Sequence, residues 1–183
     1  NALYKNRGTK AAYHLWILRR LERRCLEFRP SVVLVIKGGP VTPGAIRRIK
    51  AKTDAVVVNV FPDNPLWMIP LECVEAYDLF FTKERYALNS LQGAGLRNLH
   101  YLPLYCVPGL HHPLTPTEEE RRRFAAPVAF VGSRYPYRER FMQALADYPI
   151  RLWGPGWTAV VEPALRARAG PPVFGRETLL VYA

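Results

Sequence analysis

Short runs of β-branched and aromatic residues alternate with helix-like segments along this chain, and this alternation limits the fold more than any other feature. The runs are SVVLVI (31–36), DAVVVNVF (54–61), YDLFFT (77–82) and NLHYLPL (98–104). Continuous apolar runs of this length are typical of strands buried on both faces of a parallel sheet. Strands separated by helices are joined by right-handed crossovers. The sequence therefore predicts an α/β fold with parallel strands.

Helical signals fill the gaps between these runs. Residues 10–28 have apolar side chains at three- and four-residue steps, and Pro30 ends the pattern. Thr42 is followed by Pro43, which is typical of a capping hydroxyl and a proline at the first helical position. Thr82 is predicted to cap a further helix over about 84–92.

The strand and helix pattern restarts near residue 126. Residues 113–126 carry prolines and the charge run EEERRR, which we interpret as a solvated linker or a short helix. Beyond it we predict strands at 127–132, 150–153 and 173–174, and helices at about 138–147 and 159–169. We therefore predict two domains, 1–126 and 127–183, of which the second is too short for a complete doubly wound domain. The chain starts without Met and stops within RETLLVYA, which we predict to be an unfinished helix, so we expect a fragment.

The chain is strongly basic, and the excess is concentrated at its start. The formal net charge is +11, and residues 1–30 hold eight Lys or Arg against Glu22 and Glu27. Such a surface can meet nucleic acid, an anionic membrane or a phosphorylated substrate. The alternative, which we favour, is a solvated helix face. The arginines do not look interleaved with exposed aromatic side chains, and no nucleic-acid recognition motif occurs, so we expect no specific nucleic acid partner.

The cysteines and apolar runs bear on the compartment. Cys25, Cys73 and Cys106 are odd in number and widely spaced, which favours buried thiols in a reducing compartment over a disulfide framework. No apolar run approaches the roughly 18 residues of a spanning helix. We expect a cytoplasmic location, with the basic helix allowing a peripheral place at the inner membrane face.

Several familiar site motifs fail on inspection. GPVTPGAI (39–46) has Ala45 and Ile46 where a P-loop needs Lys and Ser or Thr. GAGLRN (93–98) follows a helix and lacks the third glycine of a dinucleotide fingerprint. The sequence contains neither a D-x-D motif for a metal-bound diphosphate nor the zinc motif H-E-x-x-H. His111 and His112 are adjacent, and adjacent histidines seldom bind the same ion. We therefore expect neither a metal nor another cofactor.

Two glycine turns near the carboxyl end point to phosphate. In AFVGSRYPYRERF (129–141) a predicted strand ends at Gly132 and Ser133 before a predicted helix, with Arg134 and Arg138 placed for phosphate oxygens. In RLWGPGW (151–157) a second strand ends in a glycine turn between two tryptophans. Adjacent strand ends of one parallel sheet can line one crevice. The alternative is that both stretches are tight turns and the tryptophans are core residues.

FPDNPLW (61–67) places a carboxylate at a strand end in the first half. Asp63 follows a predicted strand directly, where open α/β sheets place ligands, and Trp67 supplies an apolar wall. Asp63 can accept a proton from a substrate hydroxyl as a general base. A capped Asp-Asn-Pro turn without catalytic function is an equally good interpretation.

The chain resembles the CgeB-like, spore-maturation type of bacterial glycosyltransferases, relatives of the glycosyltransferase group 1 proteins with the GT-B fold. The most specific stretches are FVGS with the following arginine and WGPGW. The first half contributes PSVVLVIKGG, FPDNP, YDLFFT and GLRNLHYLPLYCVPGLHHP. The likeness covers about residues 30–177.

This resemblance implies two Rossmann-like domains, of which the second is incomplete in this chain. It also implies a transferase that moves a sugar from a nucleotide-diphosphate sugar to an acceptor hydroxyl without a metal. The acceptor would be a glycan, a protein or a lipid-linked group. Asp63 would be the catalytic base, and the acceptor side would include Asn64, Trp67 and His112. The donor side would comprise Gly132, Ser133, Arg134, Arg138, Gly154 and Trp157. Donor-binding groups further downstream would be missing, so we expect that this fragment itself can be inactive. The alternative function is a non-catalytic basic α/β module that binds nucleic acid or an anionic surface.

Overall fold

The structure is a computed structural model that describes the backbone of residues 7–181 and the side chains of residues 8–181. It divides into two compact units, Asn1–Tyr105 and Cys106–Ala183. Each unit has its own core. Among the described residues, none of the helices combines the length and the hydropathy of a membrane span.

The first unit is a four-stranded parallel sheet with helices between its strands, which confirms the predicted α/β class. Its helices are α1 (Arg7–Phe28), α2 (Pro43–Lys52), α3 (Leu71–Ala76) and α4 (Arg85–Gly93). Its strands are β1 (Val32–Ile36), β2 (Val56–Phe61), β3 (Leu79–Thr82) and β4 (Leu99–Tyr101). The strand order is β1-β2-β3-β4, and every pair is parallel.

One face of this sheet carries the core of the unit. Val33, Val57 and Phe80 point to that face, where they pack with α1, α2 and α4. On the opposite face of β1, Leu34 is 58% exposed and Ile36 is 68% exposed. The prediction that the first strand is buried on both faces is therefore wrong. With the strands in sequential order, right-handed crossovers place all the connecting helices on the same side, and β1 is an edge strand.

Of the two N-terminal helix caps predicted in the first unit, Thr42 and Thr82, only Thr42 is confirmed. Thr42 caps α2, and its Oγ1 accepts a hydrogen bond from the N–H of Ala45 at 3.3 Å. The predicted cap at Thr82 is wrong, because Thr82 is the buried last residue of β3. Its Oγ1 instead accepts from the N–H of Glu84, which is the residue that precedes α4.

The second unit has a two-stranded parallel sheet and short helices. Its elements are α5 (Glu118–Phe124), β5 (Val128–Val131), α6 (Pro136–Ala144), β6 (Ile150–Trp153), α7 (Pro163–Arg166) and α8 (Arg176–Val181). The charge run EEERRR lies in the short helix α5, and Thr117 and Glu120 form a capping box at the N-terminus of this helix.

The later part of the second unit differs from the sequence prediction. The helix predicted over 159–169 is a 3₁₀ turn at Trp157–Ala159 followed by α7. The strand predicted at 173–174 does not form, and Val173 is a buried core residue beside Trp153. The prolines at 171 and 172 supply no N–H groups for a strand ladder, which explains the irregular backbone. The helix predicted at the carboxyl end is α8, while residues 182 and 183 lie outside the described residues.

The division between the units falls earlier than the predicted boundary at residue 126. Leu114, Phe124 and Ala126 pack against Trp153 and Leu180 in the second unit. Residues 106–126 therefore belong with the second compact unit and not with the first.

Candidate functional site

The two glycine turns of the second unit are joined directly at the carboxyl ends of β5 and β6. The N–H of Gly132 donates to the carbonyl of Trp153 at 2.9 Å. The N–H of Arg134 donates to the carbonyl of Pro155 at 2.9 Å. The indole Nε1 of Trp157 donates to the carbonyl of Gly132 at 2.7 Å. The structure thus brings together the two loops that the sequence analysis assigned to one crevice.

The close approach of the two turns requires a glycine at position 154. Gly154 has a φ of +134°, and a Cβ on this residue would lie 2.4 Å from the carbonyl oxygen of Gly132. An L side chain at this position would clash with backbone and would be strained as well. Gly154 therefore sets the spacing between the turns.

The two arginines of this region have different surroundings. Arg134 is paired with Glu139, with its Nε 2.6 Å from Oε2 and its Nη2 2.5 Å from the same oxygen. Arg138 donates from Nη1 to the carbonyl of Ser133 at 2.9 Å. Its guanidinium also lies over the ring of Tyr135, 5.0 Å from the centroid. Glu139 compensates the charge of Arg134, whereas no acidic side chain among the described residues forms an ion pair with Arg138, which leaves Arg138 available to an anionic ligand.

Helix α6 begins at this same loop. Tyr135 precedes it without a side-chain cap, and Pro136 is its first residue. The N–H groups of its first turn therefore have no side-chain acceptor from the capping position. A helix N-terminus of this kind favours an anion.

Trp157, which the resemblance assigns to the donor side, lies in the core of the second unit. It is fully buried, and its ring meets Phe130 edge to face at a centroid distance of 5.9 Å. It supports the Gly132 carbonyl from the core side of the turn.

A cavity of about 610 Å³ lies elsewhere in the second unit. Its lining consists of leucines, polar side chains and two glycines. These residues are Gly109, Leu110, His111, His112, Leu114, Gly175, Arg176, Thr178 and Leu179. A volume of this size is typical of small-molecule sites. Arg176 is paired with Glu120 at 2.9 Å, and the carboxyl pKa of Glu120 is lowered, first by the N–H of Thr117 and also by Arg176.

Arg176 lines this cavity but was not among the predicted site residues. VFGRE (173–177) has the same order of apolar residues, glycine and then arginine as the loop at Gly132, and this order is the signal that could have found it. His112 was predicted on the acceptor side with Asn64 and Trp67, but it belongs to the second compact unit and they belong to the first. The structure therefore does not place these three residues in one unit.

Asp63 lies at the carboxyl edge of the first sheet in an ion pair. Its Oδ2 is 2.6 Å from the Nζ of Lys37, and both side chains are about half exposed. Lys37 has a φ of +62°, an uncommon conformation for a residue with a side chain. The N–H of Gly38 donates back to the carbonyl of Ile36 at 2.8 Å, which closes a tight turn around Lys37. This strained turn directs the ammonium group to the carboxylate at the end of the neighbouring strand.

Asn64 and Trp67 form the rest of this loop. The Oδ1 of Asn64 accepts from the N–H of Leu66 at 3.0 Å and caps a 3₁₀ turn at Pro65–Trp67. Trp67 is 86% exposed. The capped turn that the sequence suggested is present, and it leaves the carboxylate of Asp63 outside the cap.

A buried amide lies beneath the Lys37 turn. Asn59 of β2 is fully buried, and its Nδ2 donates to the carbonyl of Lys37 at 3.4 Å. Its Oδ1 has no hydrogen-bond partner among the described residues. Burial raises the pKa of the neighbouring Tyr77 hydroxyl, although Asn59 acts in the opposite direction.

The side chains that commonly bind metals are dispersed. Within residues 8–181, no group of three His, Cys, Asp or Glu side chains is arranged to hold a metal ion. The predicted burial of the thiols is correct for Cys25 and wrong for Cys106, which is exposed, while Cys73 is partly buried. Burial raises the thiol pKa of both Cys25 and Cys73.

No protein-family model matches the chain. A comparison with curated proteins finds no relative either. Any functional conclusion therefore depends on the geometry of these loops and on the motifs that carry the resemblance.

Proposed function

We propose that the chain belongs to a glycosyltransferase that uses a nucleotide-diphosphate sugar as donor. The observation that carries the proposal is the pair of joined glycine turns at the carboxyl ends of β5 and β6, beside the guanidinium of Arg138. Parallel α/β sheets bind ligands at this edge, and the N–H groups of the first turn of α6 together with an arginine are suited to a diphosphate.

In the proposed reaction, Arg138 and the first turn of α6 hold the donor diphosphate. The acceptor oxygen forms a bond to the anomeric carbon, and the bond from that carbon to the diphosphate oxygen breaks. The diphosphate leaves with the electron pair, and Arg138 stabilises the charge that develops on it. The proton of the acceptor hydroxyl passes to a carboxylate, and Asp63, which Lys37 holds in place, is the candidate that the first unit offers.

The donor half of the proposal is tested by replacing Arg138. Loss of a charge-assisted contact should weaken nucleoside diphosphate binding by about 1.5–3 kcal/mol, which is roughly ten- to a hundredfold. We would measure the affinity of Arg138→Ala by titration calorimetry, after confirming an unchanged melting profile without ligand. Arg140→Ala is the matched control, because it removes the same charge from an exposed position on the same helix. Equal affinities for the two variants would remove Arg138 from the site.

The acceptor half is tested by Asp63→Asn. In the full-length enzyme we expect turnover of the sugar nucleotide to fall about a hundredfold or more, with nucleotide affinity unchanged, because the substitution removes only the proton acceptor. Asp54→Asn, an exposed carboxylate of the same unit, is the control. Full turnover by Asp63→Asn would assign the proton transfer to another group.

A further inference from the structure

Helix α1 has an outward face on which arginines and large apolar side chains alternate. Its inner side is fixed by the buried residues Leu18 and Cys25. On the outer side Trp16 is 52% exposed, and the guanidinium of Arg20 lies 5.2 Å from its ring centroid. Leu15 is exposed to a similar extent. The expectation that the arginines of this helix are not interleaved with exposed aromatic side chains is therefore wrong.

Three arginines lie on this face, one turn or less apart. Arg19, Arg20 and Arg23 line a cleft of about 190 Å³ together with Trp16. Arg23 approaches Glu27 only at 3.7 Å, and no ion pair joins Arg19 or Arg20 to an acidic group in the described part of the chain. Like charges four residues apart on a helix repel one another. An anionic group seated in the cleft would relieve this repulsion.

We propose that the outward face of α1 docks on an anionic membrane surface. The arginines meet lipid phosphates and carboxylates, and Trp16 and Leu15 enter the headgroup region, where aromatic and aliphatic side chains are favoured. The 22-residue helix is about 33 Å long, and Leu18, Leu21 and Cys25 hold the inner side of its second half. The helix therefore lies along the membrane and does not cross it.

The apolar flank favours a membrane over nucleic acid. Leu15 lies one turn before Arg19 and Leu26 one turn after Arg23 on the flank of the helix, and both leucines are exposed. A phosphate backbone would engage the arginines and leave these leucines in water. A lipid interface accommodates both kinds of side chain, because arginine stems pack on apolar surface while their charged ends reach the phosphates.

The test is co-sedimentation of the protein with vesicles of phosphatidylcholine, with and without phosphatidylserine, at low and high salt. We expect binding that requires phosphatidylserine and weakens with salt. Replacing Arg19, Arg20 and Arg23 together with Gln should reduce the affinity roughly a hundredfold. The matched control replaces Arg97, Arg122 and Arg140 with Gln, which removes the same charge from exposed positions elsewhere.

A second measurement does not depend on the triple variant folding. Trp153 and Trp157 are buried, so in a Trp67→Phe background the tryptophan that vesicles can reach is Trp16. A blue shift of its emission on addition of phosphatidylserine vesicles supports docking through α1.

Three outcomes would overturn the proposal. They are equal vesicle binding by the two triple variants, binding that does not depend on phosphatidylserine, and an unshifted Trp16 emission. A labelled DNA duplex and a single strand are included at the same two salt concentrations. The partner is nucleic acid if DNA binds to the protein while vesicles do not, and if the variant at Arg19, Arg20 and Arg23 loses the DNA binding.

Discussion

Gly154 holds the two glycine turns of the second unit at their observed distance. Its positive φ and the carbonyl of Gly132 leave no room for a side chain. Trp157, fully buried, fixes the same carbonyl from the core side. The geometry of the candidate diphosphate loop thus depends on single residues that do not themselves carry charge.

Replacing Gly154 with Ala should destabilise the second unit by about 1–3 kcal/mol or more, because the Cβ meets backbone and the conformation is strained. Chemical unfolding followed by tryptophan emission measures this change. Gly109→Ala is the control, since a Cβ at that position meets nothing within 4 Å. A Gly154→Ala variant as stable as the control would show that the turns can separate without cost.

At the residue scale, local sequence located the candidate groups but not their partners. Asp63 and Arg138 follow predicted strands, and that position alone marked them. Lys37, the partner of Asp63, and Glu139, the partner of Arg134, were missed, because pairing depends on which strand ends are adjacent and on side-chain direction. Lys37 follows β1 as Asp63 follows β2, so the sheet order would have predicted the first pair.

Two ion pairs of the first unit connect side chains of α2 to other segments. Arg48 of α2 holds Glu22 of α1 with two guanidinium nitrogens, the shorter contact being 2.6 Å. This hydrogen bond from Arg48 lowers the carboxyl pKa of Glu22 against the opposing effect of burial. The pKa of Asp78 is also lowered, because Lys50 and the N–H of Val57 together outweigh its desolvation.

The Glu22 contact should make the α1–α2 packing sensitive to acid. Because its folded-state pKa is lowered, its share of the stability is present above the unfolded pKa of about 4.3 and is lost as pH falls through the folded value. Glu22→Gln should therefore melt below wild type near neutral pH, and the difference should vanish under strongly acidic conditions. Thermal unfolding across pH measures this, with the exposed Glu75→Gln as control. A difference that persists unchanged in acid would show that the carboxylate charge is not responsible.

At the element scale, six of the seven predicted strands form, because runs of β-branched and aromatic residues favour strands, but β4 ends at Tyr101 and not at residue 104. Element ends were predicted less well. Thr82 looked like a cap but closes a strand, and the segment 159–169 breaks into two short pieces. Those outcomes depend on tertiary packing that no local window contains.

The whole molecule consists of two parallel α/β units, and residues 106–126 show why their division was misplaced. Prolines and charges made this stretch look like a linker, yet Leu114 and Phe124 pack into the second core. Such long-range contacts are not visible in a local pattern. The exposed face of β1 has a similar origin, because it follows from the order of the strands and not from their composition.

Thermal unfolding of the protein with UDP, GDP, ADP and CDP tests whether a nucleoside diphosphate binds at the joined glycine turns, as we propose. One of the four, at about a hundred times its Kd, should stabilise the protein by roughly 2.7 kcal/mol. Arg138→Ala should lose most of that stabilisation, and Arg140→Ala should retain it. If none of the four nucleotides changes the unfolding midpoint, the proposal is contradicted and the glycine turns serve only the fold.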